Sequence, residues 1–382
     1  MPANAPKLEP FKNLINAGTV RDMSRHLQRA WPEFPAKRFE KLALGGLDEL
    51  EFKARAQHVR AALEATLPDD FPRAADIIEA TLAPTTHDAA LSTFKAGSAG
   101  LAGWGVWPLC DYVATRGLAH PKRAMECLRE LTQRHTAEWS IRPFIEQHEP
   151  LAMAMLVEWT QHPSEHVRRL ASEGSRPRLP WGLQLKHLIA DPRPTLPLLI
   201  ALQDDPSDYV RRSVANHLND IAKDHPDVVV DWIEQHLPEA APQRRALLKH
   251  ASRTLIKKGH PRMLKAWGLG ERLRGKAELR LSVRKVAVGD SFTLTATLQS
   301  TAARSQKLVV DYAVHHVKAN GDTSAKVFKG WTVDLAAREE RTLVKTHSMR
   351  LITTRRYHAG AHAVDLRING EIVASAQFQL TL

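Results

Sequence analysis

The feature that most constrains this chain is a change of hydrophobic period part-way along it. Up to about residue 268 apolar residues recur every three or four positions, as in "AADIIEATLAP", "PLAMAMLVEWTQHP" and "YVRRSVANHLNDIAKDHP" (209–226), with prolines marking the breaks. That is the helical period. In the last of these stretches Val210, Val214, Leu218 and Ile221 fall on one face, and Arg212, Asn216, Asn219 and Lys223 on the other. After "WGLGERLRGK" the period becomes two: "AELRLSVR", "SFTLTATLQS", "KLVVDYAVHHV", "VFKGWTVDL", "RTLVKTHSMRL", "AHAVDLRI" and "EIVASAQFQL" read as seven strands, with Asn369-Gly370 a hairpin turn between the last two. One chain therefore carries an all-α part and an all-β part.

The helical part also repeats itself. "HPSEHVRRLAS" from His162 resembles "DPSDYVRRSVA" from Asp205, and "IAKDHP" at 221 resembles "IKKGHP" at 256. Helix pairs recurring at such intervals predict a HEAT-like or armadillo-like α-solenoid, in which each pair buries its apolar face by stacking on the next. Seven short alternating strands predict an immunoglobulin-like sandwich, here without an inter-sheet disulfide, with Tyr357 placed for a tyrosine corner. The expected organisation is a solenoid over 1–268, a linker over 269–275 and a sandwich over 276–382.

The net charge of +12 points to a phosphate-bearing partner, and its distribution is uneven. Residues 273–382 hold 17 Lys+Arg against 9 Asp+Glu. Cys110 and Cys127 stand in no CxxC pair, the histidines are scattered and HExxH is absent, so no metal site and no cofactor are expected. No apolar run approaches a membrane span and the start lacks the layout of a signal peptide, so the expectation is a cytoplasmic protein away from membranes.

The stretch "LASEGSRPRLPW" (170–181) holds the most unusual arrangement. Gly174, Pro177 and Pro180 end a helix, leaving Glu173 at its last turn, where the helix dipole disfavours a carboxylate. Arg169, four residues before it, can pair with it, and so can Arg142 with Glu138; such spacing is equally that of an ordinary surface ion pair. Trp104, Trp107, Trp139, Trp159, Trp232 and Trp267 are assigned to the core, whereas Trp181 ends a proline-stiffened loop beside an acid.

With the VRR repeats, "EWSIRPFI" (138–145), "RRLASEGSRPRLPW" (168–181) and "YVRRSVANHLNDIAKDHP", the sequence resembles the HEAT-like repeat DNA alkylation repair glycosylases, in their AlkC branch with a C-terminal immunoglobulin-like domain. The resemblance implies a monofunctional glycosylase that hydrolyses the N-glycosidic bond of cationic bases, 3-methylcytosine and 3-methyladenine, in double-stranded DNA without flipping them. It implies Glu173 as the main catalytic acid, Glu138 and Asp220 as further acids near the lesion, and Trp181 as the aromatic against the sugar and base. Candidates for DNA contact are Arg142, Arg168, Arg169, Arg176, Arg178, Arg211, Arg212, Asn216 and Lys223, and, in the sandwich stretch "TTRRYHAGAH" (353–362), Arg355, Arg356 and His358. A monomer associated with the nucleoid is expected. Two other readings stay open: a catalytically silent DNA-binding or damage-sensing protein, and a protein-binding scaffold.

Overall fold

The computed structural model describes residues 10–85, 90–352 and 355–382. Its contacts divide the chain into two compact units, up to Asp224 and from His225 on. The first contains α1 Ala17–Ala30, α2 Ala36–Leu44, α3 Phe52–Glu64, α4 Phe71–Ala80, α5 Trp107–Arg116, α6 Pro121–Thr132, α7 Arg142–Gln147, α8 Glu149–Trp159, α9 Glu165–Gly174, α10 Lys186–Ala190, α11 Leu196–Leu202 and α12 Asp208–Ile221. The second opens with α13 Pro226–His236, α14 Pro242–Ala251, α15 Arg253–Lys258 and α16 Pro261–Ala266 before the strands begin.

Many of the helices start where the sequence places a proline in the first turn, as α4, α6, α13 and α14 do, because an N–H missing there breaks no helical bond. Helix α1 is closed by a capping box between Asn16 and Thr19. The repeat seen in the sequence is a repeat of contacts. Arg168 Nη1 on α9 donates to the carbonyls of His162 and Pro163 at 2.9 and 2.8 Å, and Arg211 Nη1 on α12 donates to those of Asp205 and Pro206 at 2.6 and 2.9 Å. Each arginine closes the turn that leads into its own helix. Arg168 also clamps Asp205, at the head of the following copy, through two bonds of 2.6 and 3.0 Å.

Val210, Val214, Leu218 and Ile221 are buried, as the period predicts, but Asn219 is buried too. The polar face of α12 is solvated only in part: the helix packs beside α9, and Ser213, His217 and Asp220 also lie inside. Such an interior needs internal partners for every polar group.

The second unit holds eight strands among the described residues, one more than the sequence predicts: β1 Gly275–Leu281, β2 Lys285–Ala287, β3 Ser291–Ser300, β4 Gln306–Val317, β5 Thr323–Leu335, β6 Glu340–Ser348, β7 Gly360–Ile368 and β8 Glu371–Thr381. They form a β1-β3-β6 sheet and a β2-β8-β7-β4-β5 sheet, antiparallel apart from the β2–β8 pair. The extra strand, β2, is three residues long, too short to display a period. Asn369 and Gly370 both have positive φ, 50° and 86°, as a two-residue hairpin turn requires. A side chain on Gly370 would come within 2.4 Å of Gly259 Cα, so this turn packs directly against the end of α15. Tyr357 is buried beside His316. Cys110 and Cys127 are free thiols with no exposed surface, and burial pushes both well above the ordinary thiol range.

Candidate active site

The three acids singled out in the sequence, far apart in the chain, meet in one network between α9, α12 and the two loops that flank them. Glu173 is 5% exposed and Asp220 1% exposed, and a carboxylate so enclosed is stable only when paired. Glu173 Oε1 accepts from Arg176 Nη1 at 2.6 Å, with Arg169 Nη2 at 3.6 Å, and Oε2 accepts from the Ser213 hydroxyl at 2.6 Å. Arg169 reaches more closely to Glu138, Nη1 to Oε2 at 2.7 Å, with the Thr136 hydroxyl also donating to that carboxylate at 2.9 Å. Its guanidinium lies 4.8 Å over the Tyr209 ring. Arg176 then turns its other edge to Asp220, Nε and Nη2 both at 2.8 Å from Oδ2, and Lys223 Nζ holds Oδ1 at 2.8 Å.

Three carboxylates are thus interleaved with three cations. Burial pushes the Glu173 carboxyl up, but Arg169, Arg176 and the Ser213 hydroxyl outweigh it and hold it below the ordinary carboxylate range. The acid at the end of α9 is therefore an anion at neutral pH, despite the dipole. His217 lies beneath, donating from Nδ1 to the Ser172 carbonyl at 2.9 Å, and burial lowers its pKa to about 3, so it stays neutral.

The loop after α9 is held by Arg142. The sequence proposes this residue for phosphate contact, but it has no exposed surface, and its donors go to the carbonyls of Leu183, Gly174 and Pro177 at 2.5, 2.7 and 3.5 Å. Burial lowers its pKa to about 10. It braces the loop from within. Trp139 Nε1 adds a bond to the Pro180 carbonyl at 3.2 Å. On this support Trp181 stands 85% exposed with φ 63°, a left-handed conformation that costs a bulky residue of the order of 1–3 kcal/mol. The ring thus projects into solvent from a braced loop.

The remaining basic candidates separate by exposure. Arg168 and Arg211 direct their guanidiniums to backbone carbonyls and, for Arg168, to Asp205, so both serve the helix repeat. Arg169 and Arg176 belong to the acid network. Arg178 pairs with Asp224 at 2.7 and 2.8 Å, half open to solvent. Arg212, paired with Asp208, is 66% exposed along its side chain, Lys223 is 42% exposed, and Asn216 is half-buried. In the sandwich, Arg356 is exposed and His358 half-buried, while Arg355 turns inward to His316; Thr353 and Thr354, which open that stretch, lie outside the described residues.

Sequence reasoning misses Ser213, Thr136 and Tyr209. For Ser213 a signal existed: it takes the place that Leu170 has in the earlier VRR copy, a hydroxyl on an apolar position. It also misplaces three tryptophans, Trp267 being half-buried as well. Trp159, Trp232 and Trp107 are buried, but Trp104 and Trp139 are half-exposed, bordering a cleft beside Trp181.

Residues 126–255 match the family model described as DNA alkylation repair enzyme, and residues 276–382 match that of the C-terminal Ig-like domain of uncharacterised protein YhaZ. Among curated relatives, the uncharacterized protein YhaZ of Bacillus subtilis (strain 168) is 36% identical over 376 residues, covering 97% of this chain and 99% of that one. Among solved structures, the alkylpurine DNA glycosylase AlkC of Pseudomonas fluorescens, bound to DNA containing an abasic site analog, superposes with a TM-score of 0.87 at 37% identity, covering 97% of this chain and 99% of the other.

Proposed function

The chain belongs to the DNA alkylation repair enzyme family, in its AlkC branch, and from that premise we propose that it is a monofunctional glycosylase releasing 3-methylcytosine and 3-methyladenine from double-stranded DNA. The observation that carries this reading is the convergence of Glu138, Glu173 and Asp220 in one buried network, with Glu173 ionised and Trp181 exposed on the loop that follows it.

A base methylated at N3 carries a positive charge, so when the C1′–N bond breaks the electron pair returns to the base and cancels that charge. No general acid is required. What must be stabilised is the oxocarbenium-like sugar, and an anion fixed beside it does so. Water adds to C1′ and gives its proton to a carboxylate or to solvent, leaving an abasic site. Lys223, the most open cation of the network, exchanges Asp220 for a DNA phosphate; three acids then face two arginines, and the surplus negative charge meets the sugar. Trp181 offers its ring face to the cationic base. In this reading the helical repeats bend the duplex so that the sugar is reached without flipping, and Arg178, Arg212, Asn216, Arg356 and His358 supply contacts to the DNA.

One observation favours the silent DNA-binding alternative: both oxygens of Glu173 already hold protein donors. Single-turnover release of the two bases separates the readings. The wild type releases base, and Glu173→Gln, compared at matched DNA occupancy, slows release by about a hundredfold or more. A wild type that binds DNA and releases nothing overturns the enzyme reading.

A further inference from the structure

A cleft of about 770 Å³ adjoins the Trp181 loop, within the roughly 300–1,000 Å³ typical of small-molecule sites. Phe52, Trp104, Trp107 and Trp139 line it, with Trp181 and Leu183 contributed by the loop. The rings support one another: Phe52 lies 5.1 Å from both Trp104 and Trp107, and Trp107 lies 5.6 Å from Trp139. These are stiff, flat faces rather than a deformable apolar surface.

The polar groups are few and of both kinds. Asp111 on α5 accepts from the Ser140 hydroxyl at 3.1 Å, and burial pushes its carboxyl above the ordinary range. Gln57 and Arg60 on α3 also line the cleft, Arg60 paired with Glu64 at 2.5 Å. Lys53 and Arg60 are matched by Glu51 and Asp111, so the lining favours neither a phosphate nor a metal cation. Aromatic faces with a balanced set of donors and acceptors fit a neutral planar heterocycle.

One short segment serves both the acid network and the cleft. Glu138 pairs with Arg169, Trp139 forms cleft wall, and Ser140 holds Asp111. We propose that this cleft receives the excised N-methylated nucleobase after its bond to the sugar is cut, with Asp111 taking the amino edge of the ring and the tryptophans its faces. The inference rests on the glycosylase reading above.

Equilibrium dialysis of the full-length protein against radiolabelled 3-methyladenine tests it, with excision measured in parallel. The wild type retains the free base, and Asp111→Asn, which preserves shape, weakens retention by about tenfold or more through loss of a charged acceptor. Trp104→Leu, checked by thermal melting, weakens it as well. No retention by the wild type, or retention untouched by both substitutions, overturns the proposal. Excision without retention removes the cleft alone and leaves the glycosylase reading standing; retention without excision refutes its role as an exit for the leaving group.

Discussion

Glu173 shows how one side chain acquires its charge from neighbours the sequence does not place beside it. The pairing with Arg169 is legible from spacing, yet Arg169 lies nearer to Glu138, and the closest partners of Glu173 are Arg176 and Ser213. A three- or four-residue spacing restricts which side chains can meet, but loop conformation and the facing helix decide which do. Arg142 makes the same point in reverse: its type and position suit a phosphate, and only its burial reveals a brace. Because the Ser213 hydroxyl favours the ionised carboxylate, Ser213→Ala raises the Glu173 pKa. The acid limb of the single-turnover pH profile then moves to higher pH. The linkage has a definite sign: a carboxylate held below its unfolded value adds stability that is present above that value and lost as pH falls through the folded one. Ser213→Ala therefore also reduces stability at neutral pH, by about 1.5–3 kcal/mol in urea denaturation. An unshifted acid limb would mean that Ser213 does not tune this acid.

Helices α9 and α12 are copies of one design, and their copied arginines do copied work while the residues beside them diverge. The repeat of "VRR" is plain in the sequence, as is the closing of helices by proline. What the period cannot reveal is which of two adjacent arginines turns to the backbone, since they differ by about 100° and both are polar. Arg211 turns inward and Arg212 outward. Strand β2 escapes sequence reading for a related reason: its pairing with β8 spans most of the sandwich sequence, and three residues hold no alternation. The difference between the arginines is measurable. Arg168→Ala leaves Asp205 buried without its clamp and lowers stability by about 3–5 kcal/mol, whereas Arg212→Ala changes it by less than about 0.5 kcal/mol. Denaturant midpoints of the two variants decide the matter; equal losses would mean that the backbone-closing and the outward-turned arginines are not distinct in role.

Across the whole molecule the net charge of +12 favours a phosphate-bearing partner, and the switch of period marks where helices give way to strands. That switch does not mark the compact units, because α13–α16 group with the strands through contacts such as Gly259, at the end of α15, on Gly370, which join residues distant in sequence. If six or more phosphates are neutralised, affinity for duplex DNA falls about a thousandfold or more between roughly 50 and 200 mM salt, and Arg356→Gln flattens that slope by about one unit. Binding indifferent to salt would instead suit a protein scaffold. The two cysteines bear on the setting in which such a protein works. Methylating electrophiles that damage bases also attack thiolates, and a thiol reacts only as its thiolate. With Cys110 and Cys127 sealed in the core and held protonated, the protein offers the agents that would create its substrate neither of its thiols as a thiolate.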